Sequence, residues 1–136
     1  MVPRPERDET DFPFGRRVLI TEDNWLIANE WRAEFELAGY VVTEIAVSAD
    51  EVERACAQTR PDFVLMDIRL LGARDGVDAA LAIRRALGTR SVFISAHDDA
   101  ATHARGELAE PLGWIVKPVI PARLPLILAG LARPKH

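Results

Sequence analysis

The chain has a single cysteine, a single tyrosine and two methionines among its 136 residues. Cys56 alone excludes an internal disulfide and any zinc site built from several cysteine ligands. It falls in a helical pattern, where a buried structural thiol is expected rather than a reactive one. Long apolar runs are missing as well. No window approaches the roughly 18 consecutive apolar residues that a membrane-spanning helix needs. The N-terminal MVPRPERDETDFPFG has no apolar stretch of the kind found in secretory signals, so the expected compartment is the cytoplasm, with no membrane partner. There is no excess of positive charge: the net charge is −4, which argues against binding to nucleic-acid phosphates. Internal repeats and low-complexity linkers are also absent.

What is present describes an ordinary globular domain. Hydrophobic residues make up 49% and charged residues 28% of a chain long enough for one domain with a proper core. Residues 1–15 are charged and Pro-containing and are expected to form a flexible arm; residues 134–136 form a short tail. Between them, over residues 16–133, strand-like and helix-like segments alternate. Strands are expected at about 17–22, 40–46, 62–67, 91–95 and 113–117, and helices at about 25–38, 49–59, 77–87, 98–109 and 121–132. Such alternation implies βαβ units and a parallel sheet. The expected fold is therefore a doubly wound (βα)5 domain of the α/β class.

Several boundaries have a local cause. Ile27, Trp31 and Phe35 recur every fourth residue and make one apolar stripe of the first helix, and Gly39 suits the left-handed position after it. Ser48 with Glu51 fits a capping box at the start of the second helix. Val77, Ala80, Leu81, Ile83 and Leu87 mark the buried side of the third, which Gly88 ends.

Three of the hydrophobic runs end in charge. Val18-Leu19-Ile20-Thr21 leads into Glu22-Asp23, Phe63-Val64-Leu65-Met66 into Asp67, and Trp114-Ile115-Val116 into Lys117-Pro118. In open α/β sheets, ligands bind beyond the carboxyl ends of the strands. Three carboxylates crowded there repel one another, and a hard divalent cation such as Mg2+ removes that cost with oxygen ligands and retained waters. Lys117 adds a fixed positive charge. The set suits phosphoryl chemistry, with one carboxylate as nucleophile and the metal and ammonium meeting the developing charge. The fourth strand ends in Ser95, a donor for a phosphoryl oxygen, followed by the small Ala96.

In this order, Glu22-Asp23, Asp67, Asp75-Gly76, Ser95-Ala96 and Lys117-Pro118 resemble the receiver domain of two-component response regulators. The resemblance runs over about residues 16–133. It implies a flavodoxin-like fold in which Asp67 is the phosphoacceptor, taking a phosphoryl group from a histidine kinase or phosphotransfer protein. It further implies that Asp23 and Asp67 ligate Mg2+ directly, with the Arg69 backbone carbonyl, and that Glu22 acts through a metal-bound water. Ser95 and Lys117 then contact the phosphoryl oxygens, and Trp114 takes the place of a switch tyrosine or phenylalanine.

The chain also departs from the family pattern. Tryptophan is bulkier than the usual switch residue. The loop after Asp67 is one residue longer than the common form and lacks its proline. Arg69 and His97 flank the phosphoryl site, and the expectation is that they tune the lifetime of the acyl phosphate. Trp31 is expected in the core, and Trp25 either near the mouth of the site or, equally, in packing.

The last segment, Leu124 to Ala132, is apolar on every side, so its outer face is expected to be covered. A homodimer through this helix is favoured over cover by the N-terminal arm with Phe12 and Phe14. Pro125 should kink or delay the helix. The expected function is a stand-alone receiver without an output domain, which switches contacts with a downstream protein partner and is not an enzyme beyond its own phosphorylation and dephosphorylation. The alternatives are an aspartate-nucleophile phosphatase, disfavoured because Arg69 stands where a second carboxylate is wanted, and a phosphorylation-independent binding module.

Overall fold

The computed structural model describes residues 16–96 and 99–131. Five strands alternate with five helices: β1 (Arg17–Thr21), α1 (Trp25–Leu37), β2 (Val41–Ala46), α2 (Ala49–Thr59), β3 (Phe63–Asp67), α3 (Gly76–Leu87), β4 (Arg90–Ser95), α4 (Ala100–Glu107), β5 (Gly113–Val116) and α5 (Leu124–Leu131). All strand pairs are parallel, and the sheet order is β2-β1-β3-β4-β5. The parallel doubly wound sheet is the one the alternation predicts, and its order is the flavodoxin-like one that the family resemblance implies. The flexible arm expected over residues 1–15 and the tail lie outside the described residues.

The sheet divides the core in two. On one face, Val18, Ile20, Phe63, Leu65, Val92 and Ile94 pack with Trp31 and Phe35 of α1 and Leu124 and Leu128 of α5. On the other, Leu19, Val64, Met66 and Phe93 pack with α2 and α3 through Val52, Cys56, Val77 and Ile83. Successive residues of β1, β3 and β4 thus feed opposite cores, and both faces being covered explains why these strands read as continuous apolar runs. Burial pushes the Cys56 thiol up to about 12, so it stays protonated and inert at neutral pH.

Local signals set most boundaries. The Ser48 side chain accepts the Glu51 N–H at 3.2 Å, and the Glu51 carboxylate accepts the Val47 N–H at 3.0 Å. Gly39 (φ 95°) and Gly88 (φ 73°) take left-handed conformations behind α1 and α3. The apolar stripe of α1 is corrected at one end: Ala28, Trp31 and Phe35 are buried, whereas Ile27 is partly exposed beside a surface cleft. α4 and α5 are shorter than their apolar patterns suggest. Asp99 caps α4 by accepting the Thr102 N–H at 2.7 Å, which fixes its start at Ala100. Pro121 opens a 3-10 turn (Pro121–Arg123), and α5 begins only at Leu124, the delay expected from Pro125.

Candidate functional site

The carboxyl ends of β1, β3, β4 and β5 border a cleft of about 290 Å3 lined by Glu22, Asp23, Asp67, Arg69, Leu70, Leu71, Ser95, Ala96 and Lys117. The residues expected to act together are therefore brought together by the topology. His97 lies outside the described residues.

Asp67 ends β3 with 6% of its surface exposed. Its two carboxylate oxygens are held separately. Oδ1 accepts the Arg69 backbone N–H at 2.9 Å, and Oδ2 accepts from the Lys117 ammonium at 2.7 Å. Lys117 Nζ also lies 3.6 Å from Glu22 Oε2 and 5.8 Å from the centre of the Trp31 ring. Its main-chain N–H donates to the Ser95 carbonyl at 2.8 Å, joining the ends of β4 and β5 under the cleft. The following Lys117–Pro118 peptide is cis.

The electrostatics follow from these distances. Burial pushes the Glu22 carboxyl above its ordinary 4.5; Lys117 pulls it back in part, while Asp67 pushes it further up. Burial alone would lower the Lys117 ammonium. The hydrogen bond and charge of Asp67, helped by Glu22, outweigh burial and hold it above its ordinary 10.5. Lys117 is thus charged at any physiological pH.

The loop after Asp67 is long, but it is anchored. Leu71 N–H donates to Val47 O at 2.9 Å, and Leu71 pairs with Ser48 as an isolated parallel bridge beside β2. Arg74 ties the loop to α2 through Glu53 and, at 3.2 Å, through Asp50. Asp75 and Asp78 form a reciprocal capping box that starts α3, and Arg105 of α4 reaches both at 3.1 and 3.2 Å. Gly76 has a steric duty: a Cβ there would fall 1.9 Å from the Asp67 carbonyl oxygen. Sequence reasoning placed Gly76 in a motif without seeing that contact.

Trp114 lies across α4. Its indole N–H donates to Glu107 Oε1 at 2.7 Å, His103 stacks on it at 4.2 Å between centroids, and Phe93 lies 4.6 Å away on the core side. Gly106 makes room for the ring, since a Cβ at that position would come within 2.4 Å of it. Trp25 is 73% exposed and borders, with Glu22 and Asp23, a groove between α1 and β2.

The donor set fits a hard cation. Glu22 Oε2 is buried without a hydrogen-bond partner, Asp23 is exposed in the same cleft, and all the side-chain donors are oxygens. Among the described residues no three His, Cys, Asp or Glu side chains converge as a dedicated cage. Mg2+ does not need one, because it keeps several waters and uses one or two carboxylates.

Comparison with known proteins agrees with this architecture. The family model of the response regulator receiver domain matches residues 18–129. The chain is 30% identical over 113 residues to the phyllosphere-induced regulator PhyR of Methylorubrum extorquens, covering 82% of this chain and 42% of that protein. It is 30% identical over 110 residues to the transcriptional regulatory protein PdtaR of Mycobacterium tuberculosis, covering 81% of this chain and 53% of that one. The chain thus spans about half the length of these curated relatives. Among solved structures, the signal receiver domain of a modulated diguanylate cyclase from Desulfovibrio desulfuricans superposes with a TM-score of 0.74 at 33% identity, covering 85% of this chain and 93% of that one. Among the described residues no helix is long and apolar enough to cross a membrane. With its strand-end cleft and a family match over residues 18–129, the chain belongs to the response regulator receiver domain family.

Proposed function

We propose that this receiver is a phosphorylation-controlled switch of a two-component phosphorelay, working in the cytoplasm, with Asp67 as its phosphoacceptor. The observation that carries the reading is the placement of the Asp67 carboxylate: it ends a buried strand, opens into the cleft, and has the Lys117 ammonium 2.7 Å away. Nothing in a purely structural strand end requires that arrangement.

An Asp67 oxygen attacks the phosphorus of a phosphohistidine on a histidine kinase or phosphotransfer protein. The P–N bond breaks, the imidazole recovers a proton from solvent, and an acyl phosphate remains on Asp67. Lys117 then exchanges its bond to the carboxylate for one to a phosphoryl oxygen, and Ser95 donates to another. Asp23, Asp67 and the Arg69 carbonyl would hold Mg2+, with Glu22 acting through a bound water; the ion neutralises charge on the phosphoryl oxygens when bound. Water attack on phosphorus restores the carboxylate and releases inorganic phosphate. The protein turns over no other substrate in this account, and Arg69 and His97 set the lifetime by controlling that water. Exchanging both for alanine and following loss of phosphate tests the last point: an unchanged lifetime contradicts it.

Two surfaces suit protein partners rather than membrane or nucleic acid. A cleft of about 580 Å3 lined by Ile27, Trp31, Pro118, Val119 and Pro121 opens beside Lys117, where a phosphodonor's apolar side chains would rest. Val116, Ile120, Leu126 and Ile127 are exposed on β5, the loop after it and α5; this is the face assigned to a downstream partner or to a second copy of the chain. Trp114, bordering it, leaves its place only by giving up Glu107 and His103.

Phosphotransfer from a phosphorylated histidine kinase tests the reading. One phosphoryl group per chain with slow release supports a switch, sustained turnover of a small phosphodonor supports a phosphatase, and no transfer leaves a binding module.

A further inference from the structure

β1 ends in a hydroxyl after three aliphatic residues, Val18, Leu19 and Ile20. Thr21 has no exposed surface. Valine would fill the same space without burying a polar group, so the hydroxyl must find its partners inside the protein. It finds two. Thr21 Oγ1 donates to the Leu65 carbonyl at 2.9 Å and accepts the backbone N–H of Asp67 at 2.6 Å. Both partners belong to β3.

The register explains why a side chain is used. Backbone pairing between β1 and β3 ends with Ile20 opposite Leu65, so Thr21 adds one rung that the main chain no longer makes. On its other side Asp67 is still in register with Ile94 of β4. The peptide that carries the carboxylate is therefore held from both neighbouring strands, just before it enters the loop.

We propose that Thr21 is a positioning residue for phosphoryl transfer: by bonding the Asp67 amide, its hydroxyl fixes the direction in which the carboxylate meets the incoming phosphorus. This rests on the reading of Asp67 as phosphoacceptor. Thr21 touches no reacting atom and acts through the main chain of Asp67. The lever is short, and transfer depends on an attack distance of about 3–3.5 Å with the reacting groups in line.

The test compares wild type with Thr21→Val, which keeps the shape, and Thr21→Ser, which keeps the hydroxyl. Phosphorylation by acetyl phosphate and Mg2+ is timed by intact-mass measurement, and amide exchange at Asp67 is followed by NMR. Thr21→Val should lose on the order of tenfold in phosphorylation rate and exchange the Asp67 amide faster. Thr21→Ser should recover most of the rate, although it also loses a buried methyl group. Equal rates for valine and wild type overturn the proposal, as does a serine variant as slow as valine. Should Thr21→Val fail to fold, Thr21→Ala against Thr21→Ser makes the same comparison, and equal rates overturn the proposal there too. A wild type inert to the donor removes the phosphoacceptor reading itself, and the positioning role with it.

Discussion

Gly76 lies so close beneath Asp67 that a Cβ on it would fall 1.9 Å from the Asp67 carbonyl oxygen. Its own N–H donates to the next carbonyl, that of Ile68, at 2.7 Å. The start of α3 is thus built onto the main chain of the acceptor strand. Gly76→Ala should destabilise the fold by about 2 kcal/mol or more, because the atom that must move is backbone. Urea denaturation measures it, and a change within about 0.5 kcal/mol would show that α3 can shift freely.

A second glycine seats Trp114. Gly106→Ala would push a methyl group into the indole ring, so the ring should leave α4 and its N–H should lose Glu107. The indole N–H resonance of Trp114 is expected to move to a solvent-exposed position, while those of Trp25 and Trp31 stay unchanged. An unmoved resonance would mean that α4 yields instead.

Glu22 makes the stability of the metal-free protein depend on pH. Its folded-state pKa is raised above the ordinary 4.5, by burial first and Asp67 second, against the pull of Lys117. A raised carboxyl favours the fold fully below the unfolded value, and that contribution is lost as pH rises through the folded value. In the absence of Mg2+, Glu22→Gln should therefore melt above wild type at neutral pH, and the gap should close as pH falls toward 4.5. A gap that does not change with pH would contradict the assignment.

Lys117 is the only cation within bonding distance of Asp67 and Glu22 among the interactions of the described residues. Lys117→Ala leaves two largely buried carboxylates facing each other. The loss should be about 1–3 kcal/mol in metal-free buffer, since removing one partner strands the other charge. Added Mg2+ should raise the melting temperature more in this variant than in wild type, because binding to the folded state adds stability by mass action and no ammonium competes for Asp67. An equal or smaller rise would contradict this.

The parts of the site legible in the sequence are those that interrupt a pattern. Asp67 ends the run of β3, which is continuous because both faces of that strand are buried, and Lys117 ends the shorter run of β5, so the charges stand out. The parallel doubly wound sheet follows from the alternation of elements, whereas the flavodoxin-like order that brings β1, β3, β4 and β5 to one cleft is implied only by the family resemblance. Thr21 reads in the sequence only as the last member of a hydrophobic run, because the partners of its hydroxyl, 44 and 46 residues away, come from register alone. Gly76 and Gly106 matter through an atom they lack, which no propensity records. The late starts of α4 and α5 depend on the Asp99 cap and on Pro121 and Pro125, whereas the helical patterns in the sequence begin before both. Ile27 kept the helical period but faces the cleft beside Lys117, where tertiary packing gives it no cover.

The central claim is that Asp67 accepts a phosphoryl group in a Mg2+-dependent reaction. Wild type and Asp67→Asn, each incubated with acetyl phosphate with and without Mg2+, are compared by intact-mass and peptide-level mass spectrometry. One phosphoryl adduct on the peptide containing Asp67, present in wild type with Mg2+ and absent with chelator or in the asparagine variant, is the predicted result. No adduct on wild type, or an adduct that persists in Asp67→Asn, would contradict it.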